Sequence, residues 1–389
     1  MRVTHVITRL IVGGAQENTV ATVLGLREKP GVTVDLISGP THGPEGSLEP
    51  GLAFDPALLS IVPELVRPVR PFQDWLAWQS LTRRFRRTRP DIVHTHSGKA
   101  GIIGRLAARR AGVPLIIHTI HGPSFGSFQG ARANFVFRHA EKIAARATDH
   151  FTVVADAMRE QYLAAGIGRS AQYTKIFSGF PLEPFLLAAN DPARRAKYGL
   201  HPDDFVVGKI ARLFELKGHD DLFAAAPELV RRCPQIKFLL VGDGPWRERF
   251  ETRARTAGLA RHFVFTGLVP PAEVPSLVGI MDALVHLSLR EGLPRALPQA
   301  LAAARPVVAY DCDGAREVCL EGRTGFLLPP GDLAGLTDRL CRLAADPALR
   351  AELGAHGQRY VRANFGVQKM VDDTHALYLR LAAERGLRV

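Results

Sequence analysis

The sequence lacks any apolar run long enough to cross a lipid bilayer. A transmembrane helix needs roughly 20 consecutive, predominantly apolar residues, and no such run occurs among the 389 residues. The opening stretch, MRVTHVITRLIVGG, has polar side chains inside its apolar part and no small-residue cleavage site. It therefore predicts a first β-strand rather than a secretory signal peptide.

Cysteine is scarce. The four cysteines form no CxxC pair, and none lies near a histidine at zinc-finger spacing: Cys233, Cys312, Cys319 and Cys341. The pattern excludes a disulfide framework and a structural zinc site. Such sparse cysteine is typical of a reducing compartment, so we expect a cytoplasmic protein.

Acidic residues are the minority among the charged side chains. The chain has 50 Lys and Arg against 38 Asp and Glu, a formal net charge of +12. The excess indicates either an evenly solvated basic surface or a partner that bears phosphates, such as a nucleotide, an anionic lipid or a nucleic acid. The sequence has no RNP-like aromatic motif, no CxxC finger and no basic-zipper heptads, so we expect no nucleic-acid partner.

Short runs rich in valine and isoleucine alternate with helix-length amphipathic stretches along the whole chain. Apolar runs without polar alternation are typical of parallel strands covered on both faces. Two series of runs predict an α/β protein with two doubly wound, Rossmann-like domains. The runs are RVTHVIT, TVDLIS, DIVHTH, LIIHTI, HFTVVA and TKIFSG, then FVVGKIAR, IKFLLVGDG, FVFTG, ALVHLSL, PVVAY and GFLL.

A proline-containing stretch without clear periodicity separates the two series. It spans residues 178–205, and we place the linker there. The domains are accordingly predicted at residues 1–180 and 181–368. In the last segment, residues 369–389, apolar side chains recur at three- to four-residue steps and predict an amphipathic helix: Met370, Val371, Leu377, Tyr378 and Leu381.

Ligands of open α/β sheets bind beyond the carboxyl ends of the strands, so residues that follow each strand are candidates for a site. Gly13 and Gly14 follow the first run and let the backbone approach an anion at the next helix N-terminus. The pattern is not GxGxxG, and a plain tight turn is an equal alternative. The stretch around Lys99 is not a phosphate loop, because Val93 stands at the position of the upstream glycine and Ala100 replaces the magnesium-binding hydroxyl.

Histidines follow the next two strands. His94 and His96 share one strand face, and His118 and His121 occur in HTIHGPSF. No carboxylate or cysteine accompanies them at ligand spacing, so we expect no metal. Strand-end histidines that are satisfied within the fold are the alternative for His94 and His118, whereas His121 precedes a loop and is the better functional candidate.

Two cations and several glycine turns follow strands of the second series. Arg212 lies at a strand end and Lys217 opens a helix, a combination that predicts a diphosphate site. Ordinary surface cations are the alternative. The turns that contain Gly242 and Gly267 can present backbone groups to a base or a ribose.

The stretch SLREGLPRALPQALAAARPVVAYD places an acid after a strand and before a helix. Gly292 allows close approach beside Glu291, and the prolines restrict the helix start to near Arg295. Glu291 can accept hydrogen bonds from sugar hydroxyls, and Gln299, one turn into the helix, can pair with a ribose diol.

This stretch and its continuation to GRTGFLLPPGD resemble the signature of family-4 retaining glycosyltransferases of the GT-B fold. The pieces GGAQ, RPDIVHTH, HTIHG, ARLFELKGHD, VGDGP and FTG occur in the family's order, so the resemblance covers essentially the whole chain. The segment from HTHSGKAG to HTIHG is most similar to the branch that builds bacterial surface polysaccharides.

The resemblance implies two domains facing across a cleft, a nucleotide-sugar donor such as a UDP-sugar, and a glycan or lipid-linked glycan acceptor. It also implies that the terminal helix crosses back to the first domain and that no cofactor or metal is needed. Arg212 and Lys217 would neutralise the diphosphate, Glu291 would bind the donor sugar, and His121 would lie near the reacting sugar. The remaining implied donor-binding residues are Gly13, Gly14, Gly242, Gly267, Gly292, Leu293, Arg295, Ala296 and Gln299, and His96 and Lys99 are candidates on the acceptor side.

The chain departs from the family pattern at three places. Gln299 replaces the family's second glutamate, FSGFPLEPF replaces the usual linker motif, and the glycine pair after PVVA is broken at Asp313 and Ala315. Two other functions therefore stay open, a nucleotide-sugar epimerase of the same fold and a non-catalytic nucleotide-sugar binder. Residues 68–90 combine Trp75 with many arginines, which indicates either peripheral contact with an anionic membrane or a domain-packing helix.

Overall fold

The computed structural model describes residues 1–41, 46–52, 55, 57–126 and 129–387. Contacts between Cα atoms divide the chain into two compact units. Unit 1 comprises Met1–Phe180 and Val367–Val389, and unit 2 comprises Pro181–Gly366. The second division falls two residues before the predicted boundary at residue 368. The last two residues of the predicted terminal segment lie outside the described residues.

Each unit is built on one parallel sheet. The strands in the described residues are β1 (Arg2–Ile7), β2 (Thr33–Ser38), β3 (Leu59–Ile61), β4 (Ile92–His96), β5 (Leu115–Ile120), β6 (His150–Val153), β7 (Tyr173–Lys175), β8 (Phe205–Ile210), β9 (Ile236–Val241), β10 (Phe263–Gly267), β11 (Ala283–His286), β12 (Val307–Tyr310) and β13 (Gly325–Leu328). Their order is β3-β2-β1-β4-β5-β6-β7 in unit 1 and β10-β9-β8-β11-β12-β13 in unit 2. The predicted fold class of two doubly wound sheets is confirmed. Only β3, a three-residue strand at a sheet edge, has no counterpart among the predicted runs.

Helices connect the strands and cover both sheets. Those in the described residues are α1 (Gly14–Arg27), α2 (Pro71–Thr88), α3 (Gly98–Ala111), α4 (Ala131–Ala145), α5 (Asp156–Ala164), α6 (Glu183–Leu186), α7 (Pro192–Lys197), α8 (His219–Arg232), α9 (Arg247–Thr256), α10 (Val274–Gly279), α11 (Ala296–Ala302), α12 (Leu333–Ala345), α13 (Pro347–Asn364) and α14 (Val367–Glu384). Parallel strands need such crossovers because a tight turn cannot return the chain to the same end of the sheet.

The two faces of the unit 1 sheet are covered by different helices. One face packs against α1 and α14 in a core that includes Val3, Leu26 and Leu377. The other face packs against α2 and α3 in a core that includes Val93 and Phe85. All five residues of the predicted apolar stripe of α14 are buried, so the last helix of the chain completes the unit that the first strand begins.

The predicted linker is folded into unit 2. The segment forms α6 and α7, and Arg195 of α7 is 3% exposed. Its guanidinium donates hydrogen bonds to the carbonyl oxygens of His201 and Asp204 at 3.1 Å and to the Asp282 carboxylate at 2.8 Å. The bond to Asp282 ties the segment to the residue before β11, and two of its prolines, Pro184 and Pro192, stand in the first turns of short helices.

Helix α2, which contains most of residues 68–90, divides its apolar side chains between core and surface. Leu81 and Phe85 are buried in unit 1, whereas Phe72 and Trp75 are 69% and 49% exposed. No described helix is long and apolar enough to cross a membrane.

Candidate functional site

Lys217 lies in the turn between β8 and α8, after the carboxyl end of a central strand of unit 2. Leu216 adopts a left-handed conformation with φ 63°, and its carbonyl oxygen accepts a hydrogen bond from Leu289 N–H at 2.9 Å. Gly218 follows with φ 65°, and a Cβ there would lie 1.9 Å from the Leu287 carbonyl oxygen. Glycine is therefore required at this position, and the close contact fixes the Lys217 turn against the end of β11.

Lys217 and Glu291 form an ion pair. Lys217 Nζ lies 2.6 Å from Glu291 Oε1, and the two side chains are 28% and 20% exposed. Burial alone would raise the pKa of Glu291, but the charges of His286 and Lys217 and the hydrogen bond from Lys217 outweigh burial and lower it. Because burial lowers the pKa of His286 itself to about 4, Lys217 is the charged partner at neutral pH. Glu291 is thus a carboxylate at neutral pH.

Asp313 holds the backbone of the Glu291 loop. Its Oδ2 accepts a hydrogen bond from Glu291 N–H at 2.7 Å, and the Gly292 carbonyl oxygen accepts one from Gly314 N–H at 3.0 Å. Asp313 has φ 48°, a left-handed conformation that glycine adopts without cost and that aspartate tolerates better than most residues. The departure from the family's glycine pair therefore keeps the turn and adds a side-chain hydrogen bond to the loop.

Arg212 follows β8 by two residues and is exposed. Its guanidinium carbon lies 5.3 Å from the centroid of the Phe214 ring. In the part of the chain that the structure describes, no acid pairs with Arg212. Its charge is consequently available to an anionic ligand, whereas the charge of Lys217 is shared with Glu291.

Lys209 is a buried amine close to this ion pair. The residue is 1% exposed on β8, and its Nζ has no hydrogen-bond partner among the described residues. Burial lowers the pKa of Lys209 to about 7; the charge of Lys217 also lowers it, while Glu291 and Asp221 act in the opposite direction. The Lys209 amine, close to the ion pair of Lys217 and Glu291, therefore gains or loses its charge near neutral pH.

The glycine turns predicted to present backbone groups are packed against the protein's own backbone. Gly242 N–H donates a hydrogen bond to the Gly267 carbonyl oxygen at 3.2 Å. A Cβ on Gly242, which has φ 134°, would lie 2.4 Å from the Ala211 carbonyl oxygen. The fold thus accounts for glycine at position 242 without a ligand.

Helix α11 begins where the sequence predicts, with Arg295 as its N-cap and Ala296 as its first residue. Leu293 and Ala296 are buried, at 9% and 8% exposure. The side chain of Gln299 is partly exposed and has no hydrogen-bond partner among the described residues. Its amide is available to a ligand.

The candidate glycines of unit 1 begin helix α1. Gly13 is the N-cap with an extended φ of 177°, and Gly14 is the first helical residue. The first turn also contains Glu17, whose negative charge opposes the attraction that a helix N-terminus offers an anion.

The strand-end histidines of unit 1 separate onto two faces of the sheet. His118 lies on the face covered by α3, where its Nδ1 is 2.9 Å from Thr95 Oγ1. His94 and His96 lie on the opposite face with His5, which pairs in register with His94. His96 is 1% exposed, and its two ring nitrogens contact His5 and His121. In this structure the His96 ring has little exposed surface, and both of its nitrogens are already bonded, so its acceptor contact stays a prediction.

Three of these histidines are close enough to be considered as metal ligands. His5, His94 and His96 each offer one nitrogen, and these atoms lie within 4.8 Å of one another. The rings are nearly parallel, at 12° between His5 and His96 and 27° between His94 and His96. A tetrahedral metal requires nitrogens that converge on one point, whereas here the nitrogens meet in hydrogen-bonded pairs.

Lys99, the other expected acceptor-side residue, is engaged within unit 1. Its ammonium pairs with Asp74 and donates a hydrogen bond to the Pro68 carbonyl oxygen. It therefore holds the start of α2, and this contact accounts for a lysine at that position.

Four residues near these sites were missed by the sequence analysis. Lys209, His286 and His5 each interrupt an apolar run, in FVVGKI, ALVHLSL and RVTHVI, and a polar residue inside a doubly covered strand is a signal that could have identified them. Asp313 was seen only as a departure from a glycine pattern, because its bond to Glu291 depends on the turn geometry.

Two family models match the chain. The model described as Glycosyltransferase Family 4 matches residues 12–174. The model described as Glycosyl transferases group 1 matches residues 190–360. The first lies within unit 1 and the second within unit 2.

Individual proteins resemble the chain over most of its length. The UDP-Gal:alpha-D-GlcNAc-diphosphoundecaprenol alpha-1,3-galactosyltransferase of Escherichia coli is 27% identical over 328 residues, which cover 83% of this chain and 84% of that protein. The GDP-mannose-dependent alpha-(1-6)-phosphatidylinositol monomannoside mannosyltransferase of Mycolicibacterium smegmatis is 33% identical over 288 residues, covering 71% and 73%.

A solved structure shares the fold. The crystal structure of Anabaena HepE in complex with UDP has a TM-score of 0.81 and 21% sequence identity, and it covers 98% of this chain and 100% of its own. At this identity the likeness shows the fold alone, which is the expected GT-B fold.

Proposed function

Because the chain belongs to glycosyltransferase family 4, we propose that it is a retaining hexosyltransferase that uses a UDP-sugar donor. Its acceptor is a hydroxyl of a glycan or lipid-linked glycan in bacterial polysaccharide biosynthesis. The reaction takes place in the cytoplasm, at the inner face of the membrane, and needs no metal.

The contact between Lys217 and Glu291 supports this proposal most directly. The lysine ammonium has three donors, and its 2.6 Å bond to Glu291 leaves the others for phosphate oxygens. The carboxylate keeps lone pairs for sugar hydroxyls. A nucleotide sugar joins its diphosphate directly to its sugar, so the two groups that recognise these parts should be neighbours, as Lys217 and Glu291 are.

Arg212 supplies the charge that the ion pair lacks. The pair of Lys217 and Glu291 is neutral overall, whereas the diphosphate leaving group gains negative charge as the glycosidic bond breaks. An unpaired guanidinium in place before the reaction stabilises that developing charge. The backbone N–H groups of Leu293 and Ala296 would add neutral donors to the phosphates.

The similar proteins support the choice of donor and acceptor. The Escherichia coli relative is named for transfer from UDP-Gal to a GlcNAc-diphosphoundecaprenol acceptor, and the Anabaena structure contains UDP. The mycobacterial relative is named for GDP-mannose and a phosphatidylinositol mannoside. Both relatives are named for a lipid-linked acceptor. A UDP-linked donor is supported by the name of the Escherichia coli relative, which aligns over more of this chain than the mycobacterial one, and by the UDP in the Anabaena structure.

The proposal is tested by measuring UDP release and product formation with purified protein. UDP-glucose, UDP-galactose, UDP-GlcNAc and GDP-mannose are each combined with a lipid-diphosphate-linked GlcNAc, with and without EDTA. We expect transfer from one UDP-sugar, insensitivity to EDTA and an α-linked product by NMR. Arg212→Ala and Lys217→Ala should each lower kcat/KM by roughly 100-fold, as loss of a charge-stabilising donor does elsewhere.

Matched controls are available in unit 2. Lys197→Ala and Arg231→Ala remove cations that lie on the surface, beside Tyr198 and Glu228 respectively, and should leave kcat/KM unchanged. Near-normal turnover in both site variants would contradict the phosphate assignment. An epimerised nucleotide sugar formed without acceptor would indicate the epimerase, and UDP binding without transfer to any acceptor would indicate the non-catalytic binder.

A further inference from the structure

A continuous series of hydrogen bonds crosses unit 1 beneath α14. We call it the histidine chain, and its members are His121, His96, His5, Tyr378, His94, Thr119 and Thr152. The links are His121 Nε2 to His96 Nδ1 (3.1 Å), His96 Nε2 to His5 Nδ1 (2.9 Å), His5 Nε2 to Tyr378 Oη (3.3 Å), Tyr378 Oη to His94 Nδ1 (2.5 Å), His94 Nε2 to Thr119 Oγ1 (2.6 Å) and Thr119 Oγ1 to Thr152 Oγ1 (2.5 Å).

Strand register brings these side chains together. His5 pairs with His94 across β1 and β4, and His96 pairs with Thr119 across β4 and β5. Residues in register on parallel strands project from the same face, so the polar side chains of four strands meet there. Tyr378 reaches this face from α14, and its hydroxyl lies between His5 and His94.

The members of the histidine chain are uncharged at neutral pH. Burial lowers the pKa of His5 to about 3 and that of His121 to about 4, and it lowers the pKa values of His94 and His96 well below the ordinary range. Burial also raises the pKa of Tyr378. A neutral imidazole has one donor nitrogen and one acceptor nitrogen, so each interior histidine must donate one bond and accept the other. The hydroxyls of Tyr378 and Thr119 must do the same if their O–H groups are to be bonded within the histidine chain.

This requirement leaves two proton orders for the whole chain. If His121 donates from Nε2, every following member must donate onward, and all four histidines are Nε2–H tautomers. If Thr152 donates to Thr119, every bond reverses, and all four are Nδ1–H tautomers. A mixed set would either place two donors or two acceptors opposite each other at a buried link, or make a hydroxyl such as that of Tyr378 accept from both neighbours and leave its O–H without a partner. Either arrangement costs about 1–3 kcal/mol for the unsatisfied group.

We propose that the histidine chain makes His5, His94, His96 and His121 share one tautomer, and that Tyr378 is a positioning residue which thereby fixes the tautomer of His121. This inference rests on the proposed transferase function only for its effect on turnover.

His121 is the member through which the histidine chain can act on a ligand. It directly follows β5, and it is partly exposed while His5, His94 and His96 are buried. Its Nε2 is used by His96, and its Nδ1 makes no hydrogen bond to a described residue. The shared tautomer decides whether that Nδ1 accepts a hydrogen bond from a sugar hydroxyl or donates one.

The tautomers can be measured directly and without substrate. Protein labelled with ¹⁵N-histidine gives two-bond correlation spectra that distinguish Nδ1–H, Nε2–H and charged imidazoles, and single His→Gln variants assign the signals. We expect His5, His94, His96 and His121 to be neutral from pH 6 to pH 8 and to show the same tautomer. Two different tautomers among the four, or a charged ring, would overturn the proposal.

Tyr378→Phe removes the central hydroxyl and keeps the aromatic ring. We expect His5, His96 and His121 to change from one tautomer to a mixture, with kcat lowered roughly two- to tenfold, in line with the smaller competent fraction, and KM for the donor unchanged. Thr119→Val breaks another link and should disturb His94 first. Tyr173→Phe is the matched control, since among the described residues its buried hydroxyl bonds only the Ile167 carbonyl oxygen, and it should leave tautomers and kcat unchanged.

A metal is the competing explanation for the clustered imidazoles. The wild-type protein is titrated with Zn²⁺ and separately treated with EDTA, and both thermal stability and histidine spectra are followed. One equivalent of Zn²⁺ that raises the Tm and converts His5, His94 and His96 to metal-bound spectra would overturn the proposal. Because the tautomers are read without substrate, failure of the transferase assay and failure of this inference are distinguishable.

Discussion

Replacing Lys209 with methionine should stabilise unit 2, and the gain should shrink as the pH rises. The pKa of this buried amine is lowered from 10.5 to about 7. Between these values the unfolded chain holds a proton that the folded chain has released, so the free energy of unfolding of the wild type increases with pH. This pH-dependent contribution to the free energy of unfolding is present in full above about pH 10.5. It decreases as the pH falls from 10.5 towards 7 and is lost below about pH 7.

The magnitude follows from the two pKa values. Their difference of about 3.5 corresponds to about 5 kcal/mol at 1.36 kcal/mol for each pKa unit. At pH 7 the folded amine is half protonated, so Lys209 costs the wild type about 4 kcal/mol; at pH 10 the cost is below about 1 kcal/mol. The advantage of Lys209→Met should therefore fall by about 3 to 4 kcal/mol between pH 7 and pH 10.

Unfolding of unit 2 can be followed on its own. Trp246 packs against the unit 2 core, whereas the other two tryptophans, Trp75 and Trp78, lie in α2 of unit 1. In a background with both of these changed to phenylalanine, Trp246 fluorescence in urea reports unit 2 at each pH. Lys197→Met, at an exposed lysine, is the control and should show no such pH dependence. A constant difference between Lys209→Met and wild type from pH 7 to pH 10 would refute the lowered pKa.

Three further predictions follow from the candidate sites. Gln299→Glu should lower KM for the nucleotide sugar about fivefold, because a charged acceptor bonds a ribose diol about 1 kcal/mol more strongly than an amide; an unchanged KM would exclude ribose contact. Asp313→Ala should lower the free energy of unfolding of unit 2 by about 1–3 kcal/mol and raise the KM for the donor, because the variant loses the bond to Glu291 N–H and keeps the strained turn. An unchanged stability and KM would show that the bond is dispensable. If α2 contacts an anionic membrane, replacing exposed Phe72 and Trp75 by serine should reduce co-sedimentation with phosphatidylglycerol vesicles at low salt, and equal sedimentation of both proteins would exclude that surface.

The apolar runs predicted most strands because each strand is covered on both faces. Strand β3 was not predicted because it has only three residues, none of them buried, and lies at a sheet edge. The stretch predicted as a linker contains the division between the two units, at Phe180 and Pro181, but most of it is folded. Pro184 and Pro192 stand in the first turns of α6 and α7, where a proline is favourable, and helices this short show no clear periodicity in the sequence.

The sequence predicted which residues form the candidate donor site, but not the bonds that join them. Arg212, Lys217 and Glu291 could be grouped because the carboxyl ends of neighbouring parallel strands meet at one edge. The ion pair of Lys217 with Glu291, and the support from Asp313, depend on left-handed residues and a close glycine contact that spacing does not reveal. His96 is a second example of what spacing does not reveal. Its position near a strand end did not indicate that its ring points into the core.

The return of α14 to unit 1 has a consequence for the order in which this protein matures on the ribosome. Residues 1–180 leave the exit tunnel first, yet the side chains of Met370 and Tyr378 that fill their core are made after all of unit 2. Unit 1 therefore cannot complete its core until α14 has been synthesised, and part of its apolar face stays uncovered until then. Unit 2 can fold before α14 is made. Premature termination near residue 366 should leave unit 2 able to fold and leave unit 1, with its core incomplete, as the part that chaperones and proteases recognise.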